Sequence, residues 1–228
     1  MSIQVIMIDE INYREKIVEM FDQNVKGKKY TKNIDDKHDG REGHWLEKLM
    51  GIKPNSNNKP DLYGYEMKKQ SAKISFGDWS ADEYLFSKNK QKLIDMNQFD
   101  ISMTRDEFIK AFGNQNSKRA ERYSWSGKCV PKYGKWNECG QKLYIDDDNN
   151  ILALYCNKHD ERGLSIRDEL KTGTIRIAIW YRNKMKKRIE NKFNQNVFFI
   201  CKKNKDKEYD KICFGIIYLY KFVIIIHT

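Results

Sequence analysis

The stretch Pro60–Gln70, PDLYGYEMKKQ, combines charged side chains with the pattern of a β-strand. Its second half alternates between apolar and polar residues, which predicts a β-strand, and Gly64 predicts a bend or bulge near its start. Residues two apart on a strand share a face, so Glu66 and Lys68 should project together. Asp61 can approach them from the bent end. The pattern therefore predicts two carboxylates and one ammonium at a single place.

These three side chains match the needs of one kind of chemistry. Two carboxylates bind a hard divalent cation such as Mg²⁺ through oxygen. A neighbouring ammonium can position a water molecule and stabilise the negative charge that develops on a phosphate under attack. The set is the minimum apparatus for metal-assisted phosphodiester hydrolysis. Taken alone, the same residues also fit an edge strand with solvated charges.

The segment before this strand predicts a helix. In GHWLEKLMGI, Gly43–Ile52, the apolar residues recur at helical spacing and Gly51 predicts the end of the helix. Glu47 falls at the flank of the apolar face. Its carboxylate is therefore expected to point along the seam between the helix and its neighbour.

The whole block Gly43–Gln70 resembles the PD-(D/E)xK nucleases, and among them the MutH-like type II restriction endonucleases of the MvaI/BcnI type. The shared features are a helix with a Leu-Glu pair, a glycine turn, an Asn-bearing loop, Pro-Asp and then Gly-x-Glu-x-Lys. Glu47 precedes Asp61 by fourteen residues, as in MutH-like enzymes. The resemblance implies that Asp61 and Glu66 are metal ligands, Lys68 is the catalytic lysine and Glu47 is an accessory carboxylate near the metal.

The resemblance also implies a fold and a function. The fold is α/β, a restriction-endonuclease-like core with a mixed central sheet flanked by helices, joined to a β-rich DNA-recognition lobe. The function is Mg²⁺-dependent, sequence-specific hydrolysis of double-stranded DNA by a metal-activated water. A MutH-like repair nickase and a DNA-binding protein with a vestigial site are the alternatives. The implied partners are DNA and a cognate DNA methyltransferase that makes no direct contact, with the enzyme a monomer or weak dimer.

A basic and aromatic segment, residues 118–163, resembles the recognition lobe of the same enzymes. Arginines can read guanine edges, aromatic rings can pack on sugars or unstacked bases, and lysines neutralise phosphate. A loop-rich surface with tryptophans in its core fits the segment as well. The candidate DNA-contacting residues are Arg119, Arg122, Tyr123, Trp125, Lys128, His159 and Arg162.

The organisation along the chain predicts residues 1–115 as the catalytic core and residues 116–228 as the recognition lobe with a closing helix and strands. The predicted elements are a helix over 9–23, a strand over 72–76, a capped helix over 104–113, a hairpin over 141–156, a mostly helical segment over 165–194 in which TIRIAI alternates like a strand, and closing strands from VFFICKK onward. The chain stops inside an apolar strand, KFVIIIHT, so a C-terminal truncation is expected.

The composition agrees with a polyanion as partner. Lys and Arg number 43 against 32 Asp and Glu, which gives a net charge of +11, and 13% of residues are aromatic. A basic protein from an AT-rich genome would look similar. The run Tyr181–Lys192 fits either a helix that follows a phosphate backbone or a solvated charged face. Five widely spaced cysteines predict reduced thiols and a cytoplasmic protein, and the apolar C-terminal stretch is too short for a membrane span of roughly 20 residues.

Overall fold

The computed structural model describes residues 3–32, 40–53, 59–71, 79–116, 119–193, 197–220 and 223–227, without the side chains of 3–12, 119–120 and 216–227. It divides into two compact units, Met1–Gly77 with Lys186–Thr228, and Asp78–Met185. We call these the first and the second unit. This boundary differs from the division at residue 115 suggested by the sequence. The assignment of one part to catalysis and the other to recognition stays a prediction.

Helices and strands alternate irregularly along the chain. The helices are α1 (Ile3–Asn24), α2 (Arg41–Leu49), α3 (Gln91–Asn97), α4 (Arg105–Phe112) and α5 (Arg182–Phe193). The strands are β1 (Glu66–Lys69), β2 (Glu83–Tyr84), β3 (Asn114–Asn116), β4 (Arg119–Ser124), β5 (Lys132–Tyr133), β6 (Cys139–Ile145), β7 (Ile151–Asp160), β8 (Thr174–Trp180), β9 (Val197–Lys203), β10 (Tyr209–Tyr220) and β11 (Val223–His227). Within the described ranges, no helix is both long enough and apolar enough to cross a bilayer.

The first unit contains a mixed four-stranded sheet in the order β1-β9-β10-β11. Strand β1 is parallel to β9, with Glu66 opposite Phe198, and the other neighbours are antiparallel. Strand β9 begins with a run of five buried residues, VFFIC, as expected of a strand covered on both faces. This sheet carries the strand on which the predicted site lies.

Helix α1 packs on this sheet through residues spaced four apart. Ile17, Phe21 and Val25 are buried and share a core with Leu46 of α2 and Met67 of β1. Val18, the residue after Ile17, is 38% exposed. The helix also begins earlier than the predicted residue 9. Among the side chains described for α1, a narrow apolar stripe is therefore fully buried against the core.

The second unit contains a five-stranded sheet in the order β2-β8-β7-β6-β5, and β3 and β4 form a separate hairpin. Only the β5–β6 pair of the larger sheet is parallel. Helix α4 starts with a capping box: Glu107 N–H donates to Thr104 Oγ1, and Thr104 N–H donates to Glu107 Oε2. Phe108 and Phe112 of this helix are buried against Tyr155 and other residues of the sheet.

Most of the predicted elements are present, and one expectation about the cysteines is wrong. The capped helix, the β6–β7 hairpin and the closing strands are confirmed. In residues 165–194 the strand alternative for TIRIAI is confirmed as β8, between β2 and β7, and the α-helix begins at Arg182. Not all thiols are free, since Cys129 and Cys139 form a disulfide. The strand predicted at 72–76 lies outside the described residues.

Candidate active site

A tight turn brings Asp61 back onto the start of β1. Tyr63 and Gly64 have φ values of 49° and 83°, and the amides of Asp61 and Leu62 both donate to the Tyr65 carbonyl at 3.0 Å. Glycine adopts this backbone conformation at little cost. The turn is held further by the Met67 amide, which donates to Asp61 Oδ2 at 2.8 Å. The predicted bend is confirmed, and it places the Asp61 carboxylate against strand β1.

Glu66 lies at the centre of the cluster, and its side chain is only 3% exposed. Its Oε1 accepts from Lys68 Nζ at 2.6 Å and from Lys192 Nζ at 3.1 Å. Its Oε2 is buried and, within the described part of the chain, has no hydrogen-bond partner. A buried carboxylate oxygen without a donor is costly, so its retention needs an explanation.

The electrostatics of the cluster are visible in Asp61. Burial raises its pKa to about 6, and the negative charge of Glu66 contributes in the same direction. The Met67 amide and the ammonium groups of Lys68 and Lys192 oppose this rise without cancelling it. Two carboxylates therefore share a poorly solvated place, where a bound cation would stabilise both ionised forms.

A hard divalent cation fits this pair of carboxylates. Glu66 Oε2 has no hydrogen-bond partner among the residues that the structure describes, and Asp61 supplies a second carboxylate beside it. The described residues contain no group of three or more His, Cys, Asp or Glu side chains arranged for a metal. Mg²⁺ is commonly held by one or two carboxylates while it keeps several waters. The donor set is therefore small, but suited to that ion.

Lys192 is the residue of this cluster that sequence reasoning missed. It lies in the last turn of α5, and its side chain is 14% exposed. In the sequence it belongs to the basic run Tyr181–Lys192, in which nothing sets it apart from its neighbours. Only the packing of α5 in the first unit brings this ammonium to Glu66.

Glu47 is not in contact with the Asp61–Glu66 pair through any described hydrogen bond. Its Oε2 pairs with His44 Nδ1 at 3.1 Å, one turn earlier on α2. Lys69, whose part the sequence left open, pairs with Glu42 at 3.1 Å. Glu42 also accepts hydrogen bonds from Lys203 Nζ and from the Tyr209 hydroxyl. Lys69 thus ties β1 to helix α2 rather than facing Glu66.

The candidate DNA-contacting residues lie in the second unit. Arg122 is exposed and Tyr123 half-buried on β4, whereas the side chain of Arg119 on the same strand is outside the described residues. Lys128 is exposed and pairs with Glu138 at 3.4 Å. His159 is exposed, and its ring stacks on Trp136 with the centroids 4.7 Å apart.

Two further candidates are committed to the interior. Arg162 has a side chain 8% exposed and donates to Asp160 and to the carbonyls of Ala111 and Gly113. Trp125 donates its indole N–H to Gln141 and the Cys129 carbonyl. Its ring packs against the hydrophobic core of the second unit. The guanidinium of Arg162 is thus enclosed by its partners, and a DNA contact by this residue stays a prediction.

Comparisons with known proteins identify the class of enzyme to which the chain belongs. The model of the LlaMI restriction endonuclease family matches residues 25–227, so the chain belongs to this family. It is 37% identical over 220 residues to the type II restriction enzyme ScrFI of Lactococcus lactis subsp. cremoris, covering 89% of this chain and 80% of that enzyme. The prediction of a type II restriction endonuclease, a site-specific deoxyribonuclease, is confirmed.

A solved structure was also found to be similar. It is the restriction endonuclease MvaI in complex with its cognate DNA substrate. The match has a TM-score of 0.47 and 12% sequence identity, and it covers 95% of this chain and 76% of that chain.

Proposed function

We propose that this enzyme cuts double-stranded DNA with Mg²⁺ held by Asp61 and Glu66, and that Lys68 faces the phosphate. The observation that carries the proposal is Glu66 Oε2, which is buried beside a second carboxylate and has no hydrogen-bond partner among the described residues. Most buried carboxylate oxygens in proteins are hydrogen-bonded. An oxygen kept free of donors is suited to a cation instead.

The residues of the chain divide the work. A divalent cation at this place supplies Lewis-acid activation of water and phosphate. Asp61 is fixed by the Met67 amide, and Glu66 is fixed through Oε1 by two lysines. Lys68 stabilises the negative charge that builds up on the phosphate oxygens in the transition state. Its ammonium already lies next to Glu66, so only a short movement separates the two contacts.

Glu47 remains the proposed accessory carboxylate. It lies on α2, whose buried residue Leu46 shares the core of the first unit with Met67 of β1. Its present partner His44 is largely exposed, and such exposed pairs are weak. Glu47 can therefore leave this contact at little cost when DNA and metal are bound. Glu47→Gln is expected to slow cleavage less than Asp61→Ala does, in the same assay.

We assign the DNA-contacting part to the exposed residues of the second unit, Arg122, Lys128 and His159 first, with Tyr123 beside them. Arginine bidentate to guanine and lysine on phosphate are the expected contacts. Arg122→Ala should relax sequence preference, whereas Lys128→Ala should weaken binding to all sequences and reduce its salt dependence. Equal salt slopes for Lys128→Ala and the unchanged enzyme would contradict the second assignment.

The test of the cutting site uses supercoiled plasmid DNA with Mg²⁺, scored for discrete fragments. The unchanged enzyme is expected to give a fixed fragment pattern, while Asp61→Ala and Lys68→Ala give no product in the same time. Equal cutting by these variants would reject the site. Open circles that accumulate without linear DNA would instead indicate a nickase that cuts one strand.

The setting of the reaction belongs to the same proposal. The enzyme acts in the cytoplasm, beside a DNA methyltransferase that protects the host genome and does not contact it. It works as a monomer or weak dimer. Sedimentation with and without a DNA duplex measures the oligomeric state, and a stable tetramer would contradict it. Expression in cells without the methyltransferase is expected to be toxic, and toxicity should disappear with Asp61→Ala.

A further inference from the structure

Two ammonium groups converge on one oxygen of Glu66. Lys68 reaches Oε1 at 2.6 Å from the same strand, and Lys192 reaches it at 3.1 Å from helix α5. Both side chains are largely buried, 20% and 14% exposed. The cluster holds two carboxylates, Asp61 and Glu66, yet both ammonium groups lie at hydrogen-bonding distance from the same oxygen, Glu66 Oε1. The presence of two ammonium groups at one oxygen therefore requires a physical explanation.

The two lysines are anchored differently. Lys192 lies in the last turn of α5, where a cation is favoured by the helix dipole, and this turn is held by the buried side chains of Ile189 and Phe193. Lys68 lies on β1, the strand at the edge of its sheet. The position of Lys192 is thus set by packing elsewhere in the first unit. It does not depend on the contacts that Lys68 makes.

The reaction proposed above requires Lys68 to leave Glu66 for a phosphate. Removing the partner of a buried charge is strongly unfavourable. If Lys68 were the sole cation at Glu66, its release would strand a buried carboxylate in the middle of the reaction. With Lys192 in place, Oε1 keeps an ammonium throughout.

We propose that Lys192 is a positioning residue that holds Glu66 while Lys68 is released to the DNA phosphate. This inference rests on the proposed function of Asp61, Glu66 and Lys68. Lys192 touches neither the DNA nor the reacting atoms. It acts through Glu66, by keeping Oε1 occupied and Oε2 turned to the cation.

The first test measures stability without metal and without DNA. Urea unfolding in EDTA is compared for Lys68→Met, Lys192→Met and the double variant. Each ammonium suffices alone, so the single variants should change the folding equilibrium little. The folding equilibrium constant of the double variant should lie at least about tenfold below the value expected from the product of the single effects. In a Glu66→Gln background this excess should disappear. Independent effects of the two lysines would overturn the proposal.

The second test measures single-turnover cleavage with Mg²⁺. Lys192→Met should slow cleavage by about 10- to 100-fold, because Lys68 is then retained at Glu66, and Lys192→Arg should restore the rate to within about threefold. Lys192→Gln serves as a second variant in case the methionine does not fold.

The matched control is Lys26→Met. Lys26 also pairs with a carboxylate in the first unit, Asp22 at 3.0 Å, but both side chains are about half exposed. It should match the unchanged enzyme in both tests. If Lys68→Met and Asp61→Asn cut normally, the proposed function fails. If they do not cut while Lys192→Met cuts normally, only the present inference is overturned.

Discussion

Two buried charge clusters, one in each unit, differ in how completely their hydrogen bonds are made. Around Arg162 the guanidinium meets the Asp160 carboxylate and two backbone carbonyls, and the Tyr155 hydroxyl completes the set at 3.0 Å from Asp160 Oδ2. Around Glu66, two ammonium groups crowd one oxygen while the other has no described partner. A fully satisfied buried network rigidifies the fold, whereas an oxygen left without a donor is costly in a low dielectric.

An unpartnered oxygen is not sufficient on its own. Glu83 Oε2 is also buried without a partner among the described residues, and Glu83 Oε1 accepts from the Tyr181 hydroxyl. What sets Glu66 apart is the second carboxylate and the pair of lysines around it. An unpartnered oxygen combined with clustered opposite charges therefore distinguishes the candidate site from Glu83.

The largest expected effect comes from Asp61→Asn in the cluster around Glu66. Cleavage should fall about a thousandfold or more, since a ligand charge worth several kcal/mol is lost. Burial and the charge of Glu66 raise the pKa of Asp61 to about 6, so the ionised form costs stability at pH 8. Without metal, the free energy of unfolding should therefore rise by about 1 kcal/mol. Plasmid cleavage and urea unfolding measure the two effects, with Asp22→Asn as control.

Arg162→Met, in the cluster around Arg162, should instead lower the free energy of unfolding. Burial alone would raise the pKa of Asp160, but the hydrogen bonds from Arg162 outweigh it and hold that pKa low. Removing the guanidinium strands this carboxylate, so the free energy of unfolding should fall by about 3–5 kcal/mol. Arg167→Met is the control: its pair with Glu169 is exposed, so about 1 kcal/mol or less is expected. Weaker DNA binding with unchanged stability would restore Arg162 as a DNA contact.

A disulfide lies beside the cluster around Arg162, because Cys129 Sγ is 3.8 Å from the Arg162 guanidinium. Cys129 and Cys139 are ten residues apart, and closing such a loop stabilises by about 2–3 kcal/mol. Cys129→Ala with Cys139→Ala should lose that amount, and Cys213→Ala should lose less. Thiol labelling of the denatured, unreduced protein should count three free cysteines. A count of five would contradict the disulfide.

The smallest expected change in stability concerns Glu42, which pairs with Lys69 and Lys203 in the first unit. Burial raises its pKa, but the hydrogen bonds from Lys203 and Lys69 outweigh it and lower the pKa below 4.5. A lowered pKa stabilises the fold above about pH 4.5, and the gain is lost as the pH falls through the folded value. Glu42→Gln should cost about 1 kcal/mol at pH 7, and the two unfolding curves should converge at lower pH. A gap independent of pH would contradict this.

Local patterns were sufficient wherever neighbours in the chain are also neighbours in space. The i, i+2 spacing of Glu66 and Lys68, the bend at Gly64 and the capping box of Thr104 with Glu107 all follow from backbone geometry. The nuclease family could be recognised for the same reason, since its ligands lie on one short stretch. By contrast, TIRIAI alternates like a strand, but that it lies between β2 and β7 is something periodicity alone does not reveal.

The residue pattern alone was sufficient to recognise the family and to place the two carboxylates and the lysine of the proposed site on one short stretch of a basic chain. Only the tertiary structure decided that Lys192 joins Glu66, that Arg162 is enclosed, and that Cys129 meets Cys139. Residue spacing encodes which side chains share a face of one element. Which elements then meet depends on the packing of the whole unit, because burial energy is non-directional and summed over many contacts.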